Sequence, residues 1–168
     1  METIGLIGVV GGIVFRLWPV WVCMAAMLVA VYLFKPRLGL FGQLFNTGVG
    51  TAGVLICAFW VFSAIFADTI APLGPRMQLA AMKNAVPGAI DPETGIAFLL
   101  GGDNLARDVF SRVIHGGRVV LTIAPAATLI ALMVGATLGL PAGYFGGKID
   151  NILSFLANLV LAFPVILL

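Results

Sequence analysis

The sequence predicts an all-α fold: a polytopic helical bundle integral to a membrane, with an interfacial helix in an extracytoplasmic loop. Three observations carry that prediction. Hydrophobic residues make up 61% of the 168 residues and charged residues 10%, against about 45–50% and about 25% in soluble domains. A soluble domain of this length could not hide so much apolar surface, and the mean hydropathy of +1.15 makes lipid the expected solvent. Long charge-free runs alternate with short polar clusters, and one cluster, Gly101 to Arg118 (GGDNLARDVFSRVIHGGR), holds Asp103, Arg107, Asp108, Arg112, His115 and Arg118 at helical spacing.

Taken in chain order, residues 1–46 form an N-terminal apolar segment with one predicted span and a basic cytoplasmic turn. Leu17 to Phe34 carries no charge and is just long enough to cross a core of ~30 Å, for which roughly 20 residues are needed. Ile4 to Phe15 is too short to span alone and extends that run, with Arg16 facing protein or an interface. Lys35 and Arg37 make a short basic connection, which the positive-inside rule assigns to the cytoplasm. Residues 47–168 form the second region, with spans expected at about 47–67, 119–144 and 152–168 and an extracytoplasmic loop at 68–118. Asp68 closes the first of these spans. Pro72, Gly74, Pro75, Pro87, Gly88, Pro92 and Gly95 then interrupt helical periodicity. The expected orientation is N-terminus out, Lys35 in, the 68–118 loop out and Lys148 in.

Inside the polar block, Asp103 and Arg107 are an i,i+4 pair, as are Asp108 and Arg112. Leu105, Val109, Val113 and Ile114 supply an apolar stripe. Asp103 is suited to cap the first turn, and Gly116 with Gly117 to end the helix. The spacing therefore predicts a short amphipathic helix over 103–114, lying at the membrane surface. Farther on, Ala127, Ala131, Gly135, Gly139 and Gly143 recur every fourth residue and make one small-residue face for close helix packing. Pro125 and Pro141 are expected near the ends of that span. Phe145 to Asn151 reads as a tight turn on Gly146 and Gly147 that exposes Lys148 and Asp150.

The order of these motifs resembles a family. GGDNLARDVFSRVIHGGR, a charge-free span, AGYFGGKIDN and LAFPVILL are similar to permease subunits of ABC importers for oligopeptides, dipeptides and nickel, in particular the second of the two paired permeases. The matching residues are Gly101, Asp103, Arg107, Asp108, Ser111, Arg112, Gly117 and Arg118, then Gly143, Tyr144, Gly146, Gly147 and Asp150, then Phe163 and Pro164. The resemblance covers about Phe34 to Leu168. Gly102 replaces a usual Thr, Ala106 a Gly, and Asn158 a common Asp.

That resemblance implies a multi-pass protein of a bacterial-type inner membrane. It implies four kinds of partner: a homologous permease subunit, two cytoplasmic ATPase subunits, an extracytoplasmic substrate-binding protein and the lipid bilayer. Substrate choice in the family rests largely with the binding protein, so peptide and nickel both stay open. The family's ATPase-docking loop, with its Glu-Ala-Ala run, does not occur in these residues. The sequence thus reads as the N-terminal half of a permease, truncated before that loop. The alternative is a small non-transporting helical membrane scaffold or assembly protein.

Other chemistries have little support. The net charge of +2 is small and scattered, so no nucleic acid partner is expected. The phosphate-loop pattern GxxxxGK[ST] is missing, so ATP hydrolysis is expected of separate subunits. Cys23 and Cys57 lie in apolar runs and are expected as small core residues. A single His offers no metal set, and neither a metal nor a cofactor is expected. Asp103, Asp108, Ser111 and His115 can be drawn as a hydrolytic set, but an ion-paired interfacial helix accounts for the same residues, and no catalytic residue is expected. Arg107, Arg112 and Arg118 also suit anionic lipid or a docked partner.

Overall fold

The computed structural model describes residues 3–35 and 39–162. Arg37 of the basic turn and Phe163 and Pro164 of the family motif lie outside the described residues. The chain begins with two helices, α1 (Leu6–Arg16) and α2 (Trp18–Phe34), joined at Leu17 with a bend of 54°. Pro19 explains the break, because it has no N–H to donate and its ring crowds the carbonyl one turn back. Where the ladder is interrupted, the Trp21 indole N–H donates to the carbonyl of Val14 at 3.1 Å. With 17 residues, α2 is about 25 Å long, somewhat short of a ~30 Å hydrocarbon core. The bent pair together is long and apolar enough to count as one crossing.

A short α3 (Gly39–Leu44) leads into α4 (Gly48–Ile65). Thr47 caps α4, its Oγ1 accepting from the amide of Gly50 at 3.2 Å. One further turn, α5 (Ala67–Ile70), ends the apolar run. After the loop come α6 (Val109–Phe145) and α7 (Gly147–Ala162). Among the described residues, α4 and α6 are the two unbroken helices able to cross a membrane by length and hydropathy. The prediction of a largely helical membrane protein thus agrees with the structure.

The backbone clusters into two compact units, one ending at Leu121 and one starting at Thr122. In the first, α2 packs on α4, with the Trp21 and Phe59 rings 5.8 Å apart. Its main core joins Leu17 and Val20 to Ala67, Ile70, Leu99, Phe110 and Ile114. The N-terminal helices therefore share a core with the later chain. The Pro- and Gly-rich stretch at 72–95 forms no long helix, as expected, yet the 68–118 segment around it is well folded. A second small core of Leu73, Met82, Ala89 and Phe98 lies within it. Two short antiparallel strands, β1 (Ala89–Ile90) and β2 (Ala97–Phe98), pair Ala89 with Phe98 and Ile90 with Ala97. Their turn is held by Asp91, whose carboxylate accepts from the Thr94 amide and hydroxyl at 2.9 and 2.6 Å. Thr3 bridges to Ala89, and the Ile4 amide donates to the Gly88 carbonyl at 2.9 Å. Only glycine suits position 88: its φ is +82°, and a Cβ there would stand 2.6 Å from the Ile4 carbonyl oxygen.

In the second unit, the turn between α6 and α7 is tighter than the sequence indicates. Gly146, at φ +61°, is the single linking residue, and its amide donates to the Ala142 carbonyl at 2.9 Å. Lys148 and Asp150 belong to the first turn of α7 and are exposed. Pro141 lies near the end of α6, as expected, whereas Pro125 lies well inside it because the helix already starts at Val109.

Candidate functional site

The charged block is not the separate interfacial helix that its spacing predicts. Residues 103–107 form a turn, and helix begins only at Val109. The physical reason is the short carboxylate of Asp103, which bonds nearby amides and so competes with helix formation. Its Oδ1 accepts from the amides of Leu105 and Arg107, both at 2.9 Å. Its Oδ2 takes the Arg107 Nε at 2.8 Å and the Arg112 Nη1 at 2.6 Å. An i,i+4 ion pair is thus made, but across a turn. The expected Asp108–Arg112 pair is replaced, because Arg112 reaches back to Asp103 and Asp108 is buried.

Asp108, not Asp103, caps the helix. Its carboxylate accepts from the amides of Phe110 and Ser111 at 3.3 and 3.0 Å, and from the Ser111 hydroxyl at 2.6 Å. Ser111 Oγ in turn accepts from the amide of Leu73 at 3.3 Å, tying the far side of the loop to the helix start. Ser111 is therefore directed at the cap and the loop, and the sketched Ser111–His115 hydrolytic contact is not formed. Both carboxylates spend their lone pairs on internal donors, so the cluster acts chemically as a clasp.

Gly116 and Gly117 do not end the helix; α6 runs unbroken for 37 residues, about 55 Å. Glycine disfavours helix in water, but where water is scarce the intrahelical bonds are what satisfies the backbone. Gly117 instead admits Trp60 of α4, since a Cβ there would lie 3.3 Å from the ring. Arg118, one residue on, closes the end of α4. Its Nε donates to the Ala64 carbonyl at 2.9 Å, its Nη2 to Ile65 at 3.2 Å, and its Nη1 to the Asp68 carboxylate at 2.9 Å. One planar guanidinium therefore satisfies two carbonyls left open at a helix C-terminus and pairs with the acid just beyond. The sequence marks Asp68 only as the end of a span, and nothing local to it points to a partner fifty residues away.

Two departures from the family pattern have visible consequences. At Gly102 a Cβ would collide with the Met82 carbonyl oxygen, so the usual Thr has no room beside this loop. Ala106, at φ +59°, adopts the left-handed conformation that glycine takes freely. Gly101 has φ +81°, and its amide and that of Gly102 donate to Phe98 and Ala85.

The small-residue face behaves differently. Gly139 and Gly143 border an open apolar groove beside α7. No atom lies within 4 Å of where a Cβ would stand at Gly135, Gly139 or Gly143, and Ala127 and Ala131 are exposed. Among the described residues this face meets no helix. The cysteines are free: Cys23 is half-buried and Cys57 exposed, so neither is the core residue that its apolar surroundings predict.

The Asp103 carboxyl has a displaced pKa. Partial burial by itself would raise it. The Arg107 amide, the Arg107 side chain and the Leu105 amide outweigh that and lower it from 3.8 to about 2.

With this geometry in view, known proteins supply the context. Over 117 residues the chain is 38% identical to the di/tripeptide transport system permease protein DppC of Pseudomonas aeruginosa, a match covering 69% of this chain and 38% of that protein. It is 33% identical over 128 residues to the dipeptide transport system permease protein DppC of Alkalihalophilus pseudofirmus, covering 76% and 40%. It is 44% identical over 72 residues to the glutathione transport system permease protein GsiD of Pectobacterium atrosepticum, covering 43% and 24%. This chain is a homologue of the permease proteins of dipeptide, peptide and glutathione transport systems. It spans about two fifths of the length of the first of these relatives. No family model matches it, and neither does a solved structure.

Two predictions follow from the geometry. A lysine cannot reach two carbonyls and a carboxylate at once, so Arg118→Lys is expected to lower unfolding stability by about 1–3 kcal/mol. Asp68 is largely exposed, so Asp68→Asn should cost less than about 1 kcal/mol; chemical unfolding of the purified variants compares the two. The Asp103 carboxylate has its folded pKa below its unfolded value. Its stabilisation is present above 3.8 and is lost as the pH falls through about 2. Hydrogen exchange at the Arg107 amide, corrected for intrinsic rates, should lose protection across that window and be weak at every pH in Asp103→Asn. Flat protection in the unmodified chain would contradict this.

Proposed function

We propose that this chain is a membrane-spanning permease subunit of an ATP-driven ABC importer for peptides. The observation that carries the reading is identity to a peptide permease over more than two thirds of the chain. Its support in the fold is a set of apolar helices joined by an ion-paired turn, in which Asp103 accepts four internal hydrogen bonds and Asp108 three. In this reading α4, α6 and α7 belong to the transmembrane domain and the turn at 101–108 fixes the entry to α6. The subunit pairs with a homologous permease, is driven by two cytoplasmic ATPases and receives substrate from an extracytoplasmic binding protein, all in the inner membrane. Peptide is preferred to nickel because the relatives are named for peptides.

Deleting the gene in its host should abolish uptake of a labelled dipeptide, with recovery from a plasmid copy and no change in labelled nickel uptake. Unchanged uptake of di- and tripeptides in the deletion strain would overturn the assignment.

The orientation in this reading is loop 68–118 out and Lys148 in. The bonding of Thr3 and Ile4 to the loop supports putting these residues on the loop's side in this reading. A cysteine introduced at Glu93 should react with an impermeant reagent added outside whole cells, and one at Lys148 should not; the opposite pattern would invert the topology.

The open face of Ala127, Ala131, Gly135, Gly139 and Gly143 takes a helix of the paired permease, whose backbone can approach only where side chains are small. Gly139→Leu should therefore reduce co-purification of that partner far more than Leu138→Ile does. Equal recovery of the partner with both variants would leave the face to lipid.

A further inference from the structure

Helix α1 has an unusual pair of faces. Its inward side is closely seated. Val9 and Ile13 pack on the main core. A Cβ at Gly12 would stand 2.8 Å from Leu99, and one at Gly88 would meet Ile4 and Val9. The residues just before the helix bond to the loop through Thr3 and Ile4. The outward side shows Leu6, Ile7, Val10, Gly11, Val14 and Phe15, with Ile7 89% and Phe15 78% exposed, and none of these is polar. A helix half-buried against protein in water turns a polar face outward; this one does not. The only charge in α1 is Arg16, half-buried in the last turn beside the bend.

We infer that α1 is an interfacial strap: its outward face lies in the lipid of the leaflet on the loop's side, at the boundary of headgroups and acyl chains, while its inward face holds the loop. This rests on the membrane reading proposed above. The 54° bend turns α1 away from the axis of α2, as a helix passing from a span into the interface requires. Trp18 and Trp21 stand at the bend, residue types enriched at that depth. Helix α2 is likewise exposed at apolar residues, among them Val22, Val29 and Leu33, so the same solvent suits both helices. The spare carbonyl at Val14 is met by the Trp21 indole, which removes the need for water there.

The test uses nitroxide labels at Ile7→Cys and, as a second site, Phe15→Cys, in the full chain with Cys23 and Cys57 replaced by Ala, reconstituted in lipid nanodiscs with its co-purifying partners. Val29→Cys on α2 and Lys83→Cys in the loop are the lipid and water references. Collision with oxygen should be high at Ile7 and Phe15, and collision with a water-soluble nickel chelate several-fold lower than at Lys83. Chelate access equal to that at Lys83, with Val29 still protected, would place α1 in water and overturn the strap alone. Low access to both reagents at Ile7 and Phe15 would mean that protein covers the face, which also overturns it. Chelate access at Val29 as well would remove the membrane reading itself.

Discussion

Every backbone amide and carbonyl near lipid needs a partner, because water is not there to provide one. This structure meets that constraint with side chains at three of the places where a helix stops or bends. Arg118 satisfies carbonyls at the end of α4, Trp21 one beside the bend between α1 and α2, and Asp108 amides at the start of α6. All three belong to the first unit, whose core joins Leu17, Ile70, Leu99 and Phe110. Removing any of them exposes a polar group where its desolvation is not returned, so the packing and the polar bonding stand or fall together.

The polar block divides its work between two carboxylates. Asp103 gathers Arg107 and Arg112 into a turn, and Asp108 begins the helix and binds Ser111. The first is partly open to solvent and charge-assisted, which keeps it ionised far into acid. The second is buried and neutral in its partners, a geometry that sets direction. Between them Ala106 carries a left-handed backbone. That strain costs roughly 1–2 kcal/mol, while alanine's narrower unfolded ensemble offsets about 0.4–1 kcal/mol of it relative to glycine. The departure from the family's glycine is therefore tolerable without a compensating contact.

The apolar helices were legible because hydropathy is a property of each segment alone: the expected 47–67 became α4, and the expected 119–144 falls within α6. The start of α6 was not, since an i,i+4 pair of Asp103 and Arg107 is satisfied equally by a helix or by a turn closed on the Asp carboxylate. Gly116 and Gly117 misled for a related reason. A glycine's helix cost is a solvent-phase quantity, and its use at 117 depends on Trp60 from another helix. The fork of Arg118 onto α4 was invisible because its acceptors lie more than fifty residues earlier. The break at Pro19 was not read, because residues 4–15 and 17–34 are both apolar and hydropathy alone runs them together. In the loop, Pro and Gly signalled turns correctly but hid a small core, because Met82 and Phe98 have no periodicity to announce that they meet.

The bond from Ile4 to Gly88 has a consequence for the chain as it is made. Ile4 emerges from the ribosome 84 residues before its partner, a delay on the order of 5–15 seconds at about 5–20 residues per second. During that interval the first helix has neither Leu99 nor the short strands to rest against. Its apolar exterior must be sheltered by the insertion machinery or by lipid. Seating of α1 thus waits on a segment made after α2 and α4, and α1 is among the last of the described helices to reach its final place.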